Sequence, residues 1–214
     1  MGCIIEWPPE GGKDVPNTRG GTREGTAVAL TERVLEFWFG PLGTAEYGRD
    51  RKAWWRKDKA FDAEVRRRFL ADYERAADGE LDFMADMPKD CVALIIVLDQ
   101  FPRNMFRGTA KAFATDWKAL ALAKRALEKG FDRRLAPAER SFVLMPFQHS
   151  ENIADQERSV ALFRELNFGE QLDFAIRHRD IVARFGRFPH RNHILGRDGT
   201  PEEIRFLKEP GSSF

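Results

Sequence analysis

Two short segments that lie far apart in the chain carry the same combination of residue types. Phe-Pro-Arg-Asn occupies residues 101–104, and Phe-Pro-His-Arg-Asn occupies residues 188–192. In each segment a proline turn presents an arginine together with an asparagine. Guanidinium groups bind carboxylates and phosphates through two parallel hydrogen bonds, so two such turns facing each other would form a pocket for a small anion. The similarity can also be a coincidence in an arginine-rich chain.

Asp99, followed by Gln100, stands directly before the first of these turns. The apolar residues 91–98 precede it and predict a helix that ends near this carboxylate. A helix C-terminus disfavours negative charge, so we expect Asp99 to have a cationic partner such as Arg103 or Arg107. The Asp99 carboxylate belongs either to a functional site or to a buried ion pair that only fixes the turn. The sequence does not distinguish the two, because both environments shift the pKa of a carboxylate.

His149 and Glu151 form a second candidate site, one on each side of Ser150. A histidine and a nearby carboxylate can act as a general base and the group that orients it, or as metal ligands. The alternative is structural, because Ser150 or Asn152 can simply cap the helix that follows. Ser150 lacks the Gly-x-Ser-x-Gly context of a hydrolase nucleophile.

All four histidines lie in the C-terminal third of the chain, at positions 149, 178, 190 and 193. Their spacing matches no compact metal motif such as His-Glu-x-x-His, and no cysteine pair accompanies them. Neutral histidines more often hydrogen-bond to backbone or carboxylate groups. We therefore predict no metal ion and no cofactor, and we expect Gln156 and Glu157 to supply hydrogen bonds near His149.

The composition indicates a folded domain rather than a disordered or membrane-spanning chain. Of 214 residues, 43% are hydrophobic, and 35 basic residues nearly balance 34 acidic ones to give a net charge of +1. That balance argues against nucleic-acid binding, which relies on excess positive charge. The apolar run 91–98 is too short to span a bilayer, and the first residues do not form a signal peptide. Two cysteines make no disulfide framework, so the expected location is the cytoplasm.

Helical periodicity recurs from Thr26 onwards, whereas the preceding residues contain several glycines and prolines. We predict that residues 1–25 form a loosely ordered N-terminal arm and that residues 26–214 form a single all-helical domain. Helices are predicted at residues 27–39, 51–55, 58–77, 89–100, 110–129, 137–145, 152–166, 170–184 and 200–207.

The segment 89–100 is apolar on nearly every side, which is typical of a buried central helix. Its β-branched residues would also allow a buried strand, but helical patterns flank it and no second strand candidate is present. Pro102 is predicted to break or kink this helix, and Pro146 to interrupt the helix that begins at Pro137. Successive helices with short connections predict an all-α fold, an irregular array of antiparallel helical hairpins. The alanine-rich helix 110–129 looks like half of a tetratricopeptide hairpin, although the strict period of that repeat is not readable.

Several strings in this chain, taken in order, resemble a known family. They are Phe-Trp-Phe at 37–39, Leu-Asp-Gln-Phe-Pro-Arg-Asn at 98–104, Arg-Gly at 107–108, His-Ser-Glu at 149–151, Gln156, and Arg-Phe-Gly-Arg-Phe-Pro-His-Arg-Asn at 184–192. Over about residues 28–208 the chain resembles the mainly bacterial family known as domain of unknown function 924. The resemblance implies a tetratricopeptide-like bundle of helical hairpins and no established activity. The motif positions that it implies are Asp99, Gln100, Arg103, Asn104, Arg107, His149, Glu151, Gln156, His178, Arg187, His190, Arg191 and Asn192.

The first functional interpretation is a binding or scaffold protein. It would hold a small anionic ligand, or the acidic end of a peptide, in a pocket lined by arginines and asparagines. The residues assigned to this pocket are Arg103, Arg107, Arg187 and Arg191, with Asn104 and Asn192 orienting the ligand.

The second interpretation is a hydrolase-type enzyme in which His149, paired with Glu151, is the general base and His190 is the acid. The third interpretation is that the polar cluster is purely structural, so that removing one residue leaves its partner buried without a compensating charge. We expect neither nucleic acid nor a membrane as a partner, and the sequence leaves the oligomeric state open.

Overall fold

The computed structural model describes residues 22–167 and 169–213. These residues form helices joined by turns, and no strand occurs among them, which confirms the predicted all-α class. The α-helices are α1 (Arg23–Phe39), α2 (Lys52–Trp55), α3 (Lys59–Ala77), α4 (Pro88–Ile95), α5 (Phe101–Met105), α6 (Asp116–Glu128), α7 (Pro137–His149), α8 (Ile153–Leu166), α9 (Gly169–Phe185) and α10 (Pro201–Phe206). A π-helical segment, Ile96–Gln100, joins α4 to α5, and 3₁₀ turns occur at Asp82–Asp86, Ala110–Phe113, Asp132–Arg134 and Pro189–Arg191.

Several helices begin at capping residues that the sequence identifies. The Asp58 side chain accepts hydrogen bonds from backbone N–H groups in the first turn of α3, and Asn152 does the same for α8. Thr200 and Glu203 form a capping box at the start of α10. Each cap satisfies N–H groups that the first turn of a helix leaves without partners, so the predicted starts of these helices are confirmed.

The centre of the molecule is the continuous run formed by α4 and the π-helical segment. Every side chain from Cys91 to Leu98 is at most 1% exposed, and the run contacts α1, α3, α6 and α7. This confirms the buried central helix, because a helix that is apolar on all sides has to be covered on all sides.

Consecutive helices from α6 to α9 pack against each other in turn, as short connections require. The tetratricopeptide-like detail of their arrangement stays a prediction.

Aromatic side chains connect the end of α1 to the two helices that carry the candidate site. The Trp38 ring lies 5.6 Å from the ring of Phe101 and 5.5 Å from that of Phe142, between ring centroids. Trp38 is 1% exposed. Since Phe101 follows Asp99 and Gln100, and Phe142 lies on α7, this packing holds the π-helical segment and α7 in a fixed relation.

The N-terminal boundary of the helical region differs from the prediction. Helix α1 begins at Arg23, and the Thr22 hydroxyl accepts a hydrogen bond from the Gly25 N–H group at 3.2 Å. The predicted arm, residues 1–25, is therefore wrong for its last residues, because a threonine cap starts the helix earlier than the apolar periodicity does. The rest of the predicted arm, residues 1–21, lies outside the described residues.

Pro102 was predicted to break or kink a helix and Pro146 to interrupt one, and in both cases the helical run continues. Pro102 lies in α5, directly after the π-helical segment, and Pro146 lies inside α7, which extends to His149. A proline removes the N–H group that would bind the carbonyl of the residue four positions earlier. For Pro102 that carbonyl belongs to Leu98, and it accepts a hydrogen bond from the Thr115 hydroxyl at 2.6 Å instead. A donor from another part of the chain therefore permits the helix to continue.

The predicted helix 110–129 is also divided. It begins as a 3₁₀ turn, Ala110–Phe113, and becomes α-helical only at Asp116. Among the residues that the structure describes, no helix is both long enough and apolar enough to cross a membrane.

Candidate functional site

Asp99 lies in the π-helical segment, where the backbone is wider than in an α-helix. The prediction that it ends a helix is wrong, since the helical run continues into α5. Its side chain is 0% exposed. One carboxylate oxygen accepts a hydrogen bond from Gln100 Nε2 at 2.5 Å, and the other lies 3.2 Å from Arg103 Nη1. The predicted cationic partner of Asp99 is thus Arg103.

The pKa of Asp99 is lowered to about 2. Burial by itself acts to raise this pKa, but the positive charge of Arg103 and the interactions with His149 and Gln100 outweigh it. Asp99 is therefore a buried carboxylate that stays ionised at neutral pH.

Arg103 connects Asp99 to a second carboxylate, Asp116, at the start of α6. Its Nη1 and Nη2 atoms donate to the two oxygens of Asp116 at 2.8 and 3.0 Å, and Nη1 also donates to the Asp99 backbone carbonyl. Sequence reasoning missed Asp116. An acidic residue in the first turn of a helix is explained by the helix dipole alone, so nothing in the sequence marks it as part of a site.

His149, the last residue of α7, is held by Asp99. Its Nδ1 atom lies 2.7 Å from Asp99 Oδ1. An ionised carboxylate can only accept a hydrogen bond, so Nδ1 carries the hydrogen and the lone pair of the ring lies on Nε2. Among the described residues, none hydrogen-bonds to Nε2, and the side chain is 16% exposed.

The predicted pairing of His149 with Glu151 is wrong. Glu151 binds Arg197 through two hydrogen bonds of 2.7 and 3.0 Å and accepts a third from the Phe188 N–H group at 2.8 Å. These contacts hold the loop between α9 and α10 against the end of α7. Glu151 therefore positions that loop. The carboxylate that orients His149 is Asp99, from a different helix.

The pKa of His149 is lowered from its ordinary value. Burial has the largest effect, and the positive charge of Arg103 adds to it, while Asp99 acts in the opposite direction. His149 is therefore a neutral imidazole at pH 7, with Asp99 present to stabilise the protonated ring when it forms.

Arg191 lies between two aromatic rings. Its guanidinium carbon is 4.6 Å from the ring centroid of Phe113 and 4.6 Å from that of Phe188. Its Nη1 atom lies 3.6 Å from Asp116 Oδ2, and the residue is 7% exposed. The segments around Pro102 and Pro189 therefore converge on one carboxylate, since Arg103 and Arg191 both approach Asp116. Burial, with the nearby positive charge of Arg103, lowers the pKa of Arg191 to about 10, so it remains charged.

His178 and His190 lie beside these groups. The ring of His178 is 6.5 Å from that of His149 and 5.6 Å from that of Phe188, and the ring of His190 is also 5.6 Å from Phe188. Burial lowers the pKa of His178 to about 3 and that of His190 to about 4. A general acid has to be protonated when it acts. The role of His190 as that acid is therefore not supported at neutral pH.

Several predicted site residues bind protein groups away from Asp99. Asn104 and Arg107 both bind Asp62 on α3, at 2.7 to 2.8 Å. Arg187 binds both oxygens of Glu203 on α10, at 2.7 and 2.8 Å. Their pairing with Asp62 and Glu203, which the sequence did not indicate, removes Asn104, Arg107 and Arg187 from the cluster.

Gln156 and Asn192 are both buried. Gln156 Nε2 donates to the backbone carbonyls of Gln148 at 2.7 Å and Ser150 at 2.6 Å. It thus holds the end of α7, where His149 lies, rather than contacting the His149 ring. Asn192 follows Arg191 in the second proline turn.

The histidines and acidic residues of the described ranges do not converge on a metal-binding position. No group of three or more histidine, cysteine, aspartate or glutamate side chains there is placed to hold an ion. Asp99 is occupied by Arg103, Gln100 and His149, so its oxygens already have partners.

Residues 34–211 match a family described as a bacterial protein of unknown function, DUF924. The chain belongs to this family. A solved structure of similar sequence is that of the protein of unknown function ATU0120 from Agrobacterium tumefaciens. It is 42% identical, the match covers 85% of this chain and 98% of that chain, and the TM-score is 0.77. No curated protein matches the chain. The family match thus confirms the resemblance, and the similar solved structure supports the fold. Neither brings an activity with it.

Proposed function

We propose that this DUF924 protein is an enzyme of hydrolase type in which His149 is the general base. One observation carries the proposal: a buried, ionised carboxylate holds Nδ1 of a neutral imidazole at 2.7 Å and leaves Nε2 without a protein partner in the described ranges. This arrangement suits an acid–base histidine, because the carboxylate fixes the tautomer and stabilises the imidazolium that forms.

The proposed reaction begins with a water molecule that hydrogen-bonds to His149 Nε2. As its oxygen forms a bond to the electrophilic carbon or phosphorus of the substrate, one proton moves from the water to Nε2. The imidazolium, stabilised by Asp99, then returns that proton to the leaving group as the scissile bond breaks. His149 serves as base and then as acid, so the reaction needs no protonated His190.

The charges around Asp99 favour a base over a passive ion pair. Arg103 keeps Asp99 ionised and lowers the pKa of His149, so the imidazole is unprotonated and able to accept a proton at neutral pH. A pocket built from several arginines, the alternative interpretation, has less support. Arg103, Arg107 and Arg187 each direct two nitrogen atoms at a protein carboxylate.

The proposed substrate is a small molecule, and the proposed location of the enzyme is the cytoplasm. The near-neutral composition supports a small molecule over nucleic acid, since it offers no excess positive charge. The two cysteines, too few for a disulfide framework, support the cytoplasm.

The test is a turnover screen of the purified protein against carboxylic esters, amides and phosphoesters. We expect His149→Gln to lower kcat/KM for any active substrate by about 100-fold or more, with an unchanged circular dichroism spectrum. The control is His193→Gln, at an exposed position outside the cluster, which should retain wild-type turnover. The rate should fall as the pH drops through the pKa of His149, which lies below 6.5.

Two outcomes would contradict this proposal. Turnover that persists in His149→Gln would remove this residue from the reaction. An inactive wild-type protein whose melting temperature falls steeply in His149→Gln would make the cluster a structural network, because a broken buried pair is costly to the fold.

A further inference from the structure

Arg191 differs from the other arginines of the cluster in its hydrogen bonding. Arginine has five N–H donors, and none of those on Arg191 makes a hydrogen bond to a described residue. The nearest carboxylate oxygen, Asp116 Oδ2, lies 3.6 Å from Nη1, and Nε is buried with no partner. Asp116 already receives two hydrogen bonds from Arg103. Arg191 is thus a charged side chain that is only 7% exposed. Its N–H donors make no hydrogen bond to a described residue.

The buried Nε–H group of Arg191 is unfavourable, because it has lost its hydrogen bond to water without a replacement. The two aromatic rings compensate only part of this loss. Phe113 and Phe188 interact with the faces of the guanidinium at 4.6 Å, but the N–H bonds point outward in the plane of the group. A ligand oxygen lying in that plane would complete the hydrogen bonding.

The geometry around Arg191 selects the shape of such a ligand. The ring centroids of Phe113 and Phe188 each lie 4.6 Å from the guanidinium carbon. Cation–π packing of this kind leaves the N–H edge of the guanidinium as the part that a ligand can bind. A carboxylate is planar and matches that edge with two parallel hydrogen bonds.

The charges around Arg191 disfavour a group that carries two negative charges. Asp99 and Asp116 already balance Arg103 and Arg191, and His178 and His190 are neutral. A phosphate dianion would place both of its negative charges beside Asp116, whereas a dicarboxylate such as succinate places only one of its two carboxylates there. The electrostatic balance therefore disfavours phosphate.

We propose that Arg191 binds a carboxylate group of the substrate through the N–H edge of its guanidinium, beside Phe113 and Phe188. This inference deepens the proposed function, since it names the substrate class for the same site: a small molecule with a carboxylate separate from the bond that is broken. The ion pairs from Asp99 through Arg103 and Asp116 end at Arg191, and Asp99 also binds His149. The carboxylate subsite and His149 therefore belong to one connected polar network.

The first experiment measures thermal stabilisation by succinate, with sodium chloride of equal ionic strength as the reference. A ligand that binds only the native state raises the melting temperature. At a concentration about one hundred times its Kd we expect a rise of about 5 to 10 °C in the wild type. The same rise is expected in Arg187→Lys, the matched control, whose arginine is paired with Glu203. Arg191→Lys keeps the positive charge but cannot form two parallel hydrogen bonds to a carboxylate. In this variant succinate should no longer raise the melting temperature.

A second measurement covers the case in which Arg191→Lys does not fold. In the ¹H–¹⁵N correlation spectrum of the wild type, succinate should shift the Nε–H signal of Arg191 and slow its exchange with water. Inorganic phosphate that stabilises the protein when succinate does not would overturn the choice of a carboxylate. A melting temperature and an Nε–H signal that succinate leaves unchanged would overturn the subsite.

The subsite and the proposed reaction can fail separately. Succinate binding that survives in His149→Gln, in a protein with no turnover, would support the subsite and reject the enzyme. Turnover that depends on His149 but is equal for uncharged and carboxylate-bearing substrates, in both the wild type and Arg191→Lys, would support the enzyme and reject the subsite.

Discussion

Asp99 is the residue on which the polar cluster depends most. It is fully buried and contacts Arg103, His149 and Gln100. In a buried ion pair the loss of one partner leaves the other charge without compensation, and this typically costs several kcal/mol. The stability of the protein therefore reports on Asp99 independently of any activity.

We expect Asp99→Asn to lower the free energy of unfolding by about 3 kcal/mol. Arg103 would keep only Asp116, and His149 would lose its ionised partner. Urea denaturation followed by circular dichroism measures the change. Asp86→Asn is the control, since the Asp86 side chain is 58% exposed and exposed ion pairs contribute about 1 kcal/mol or less. Equal losses in the two variants would show that Asp99 has no special role in the fold.

The residue types of the site can be predicted from the sequence, but their partners cannot. The expectation of a cationic partner for Asp99 rests on its predicted position at a helix C-terminus. The partner is Arg103, one of the two named candidates, although the helical run continues past Asp99. Sequence reasoning fails for His149, because the orienting carboxylate comes from the π-helical segment rather than from Glu151, two residues away. Arginine reaches any carboxylate on a neighbouring helix, so its partner depends on how the helices pack.

The π-helical segment is the element that shapes the site. It widens the helical run directly before Pro102, and the Leu98 carbonyl accepts a hydrogen bond from the Thr115 hydroxyl at 2.6 Å. This bond fastens the segment that carries Asp99 to the turn that precedes α6 and Asp116. The Thr115–Leu98 hydrogen bond thereby helps to fix the positions of Asp99 and Asp116, the two carboxylates that bind Arg103.

We expect Thr115→Val, which keeps the shape of the side chain, to destabilise the protein by about 1 to 3 kcal/mol. It leaves the Leu98 carbonyl buried without its donor, and that is the usual cost of an unsatisfied buried group. Thr109→Val is the matched control, because its hydroxyl also donates to a backbone carbonyl but lies on the surface. The midpoint and slope of urea unfolding would give both values, and a Thr115→Val loss no larger than that of Thr109→Val would refute the expectation.

Helix starts and the buried centre can be predicted from local sequence, whereas the behaviour of the prolines cannot. A cap such as Asn152 satisfies N–H groups within its own first turn, so the information is local. Whether Pro102 ends a helix depends on a hydroxyl thirteen residues later, Thr115, which the proline rule does not consider.

At the scale of the whole molecule, the cluster exists because distant parts of the chain converge. The contributing parts are the π-helical segment with Asp99, α6 with Asp116, the end of α7 with His149, α9 with His178, and the loop before α10 with Arg191. Three neutral histidines are buried or partly buried in this arrangement. Each is more easily protonated once the chain unfolds, and this links the stability of the fold to pH.

We expect the protein to lose stability as the pH falls from about 6.5 towards 4. Burial lowers the pKa of His178 to about 3 and that of His190 to about 4, so over this range the unfolded chain binds protons that the folded chain does not. Each such histidine costs about 1 kcal/mol per pH unit, and no further loss from His178 is expected below pH 3. Substitution of His178 by glutamine should make the slope of unfolding free energy against pH shallower, measured by urea denaturation at several pH values. A slope that stays the same in His178→Gln, and equals that of the surface control His193→Gln, would mean that the buried imidazole is already protonated in the folded protein.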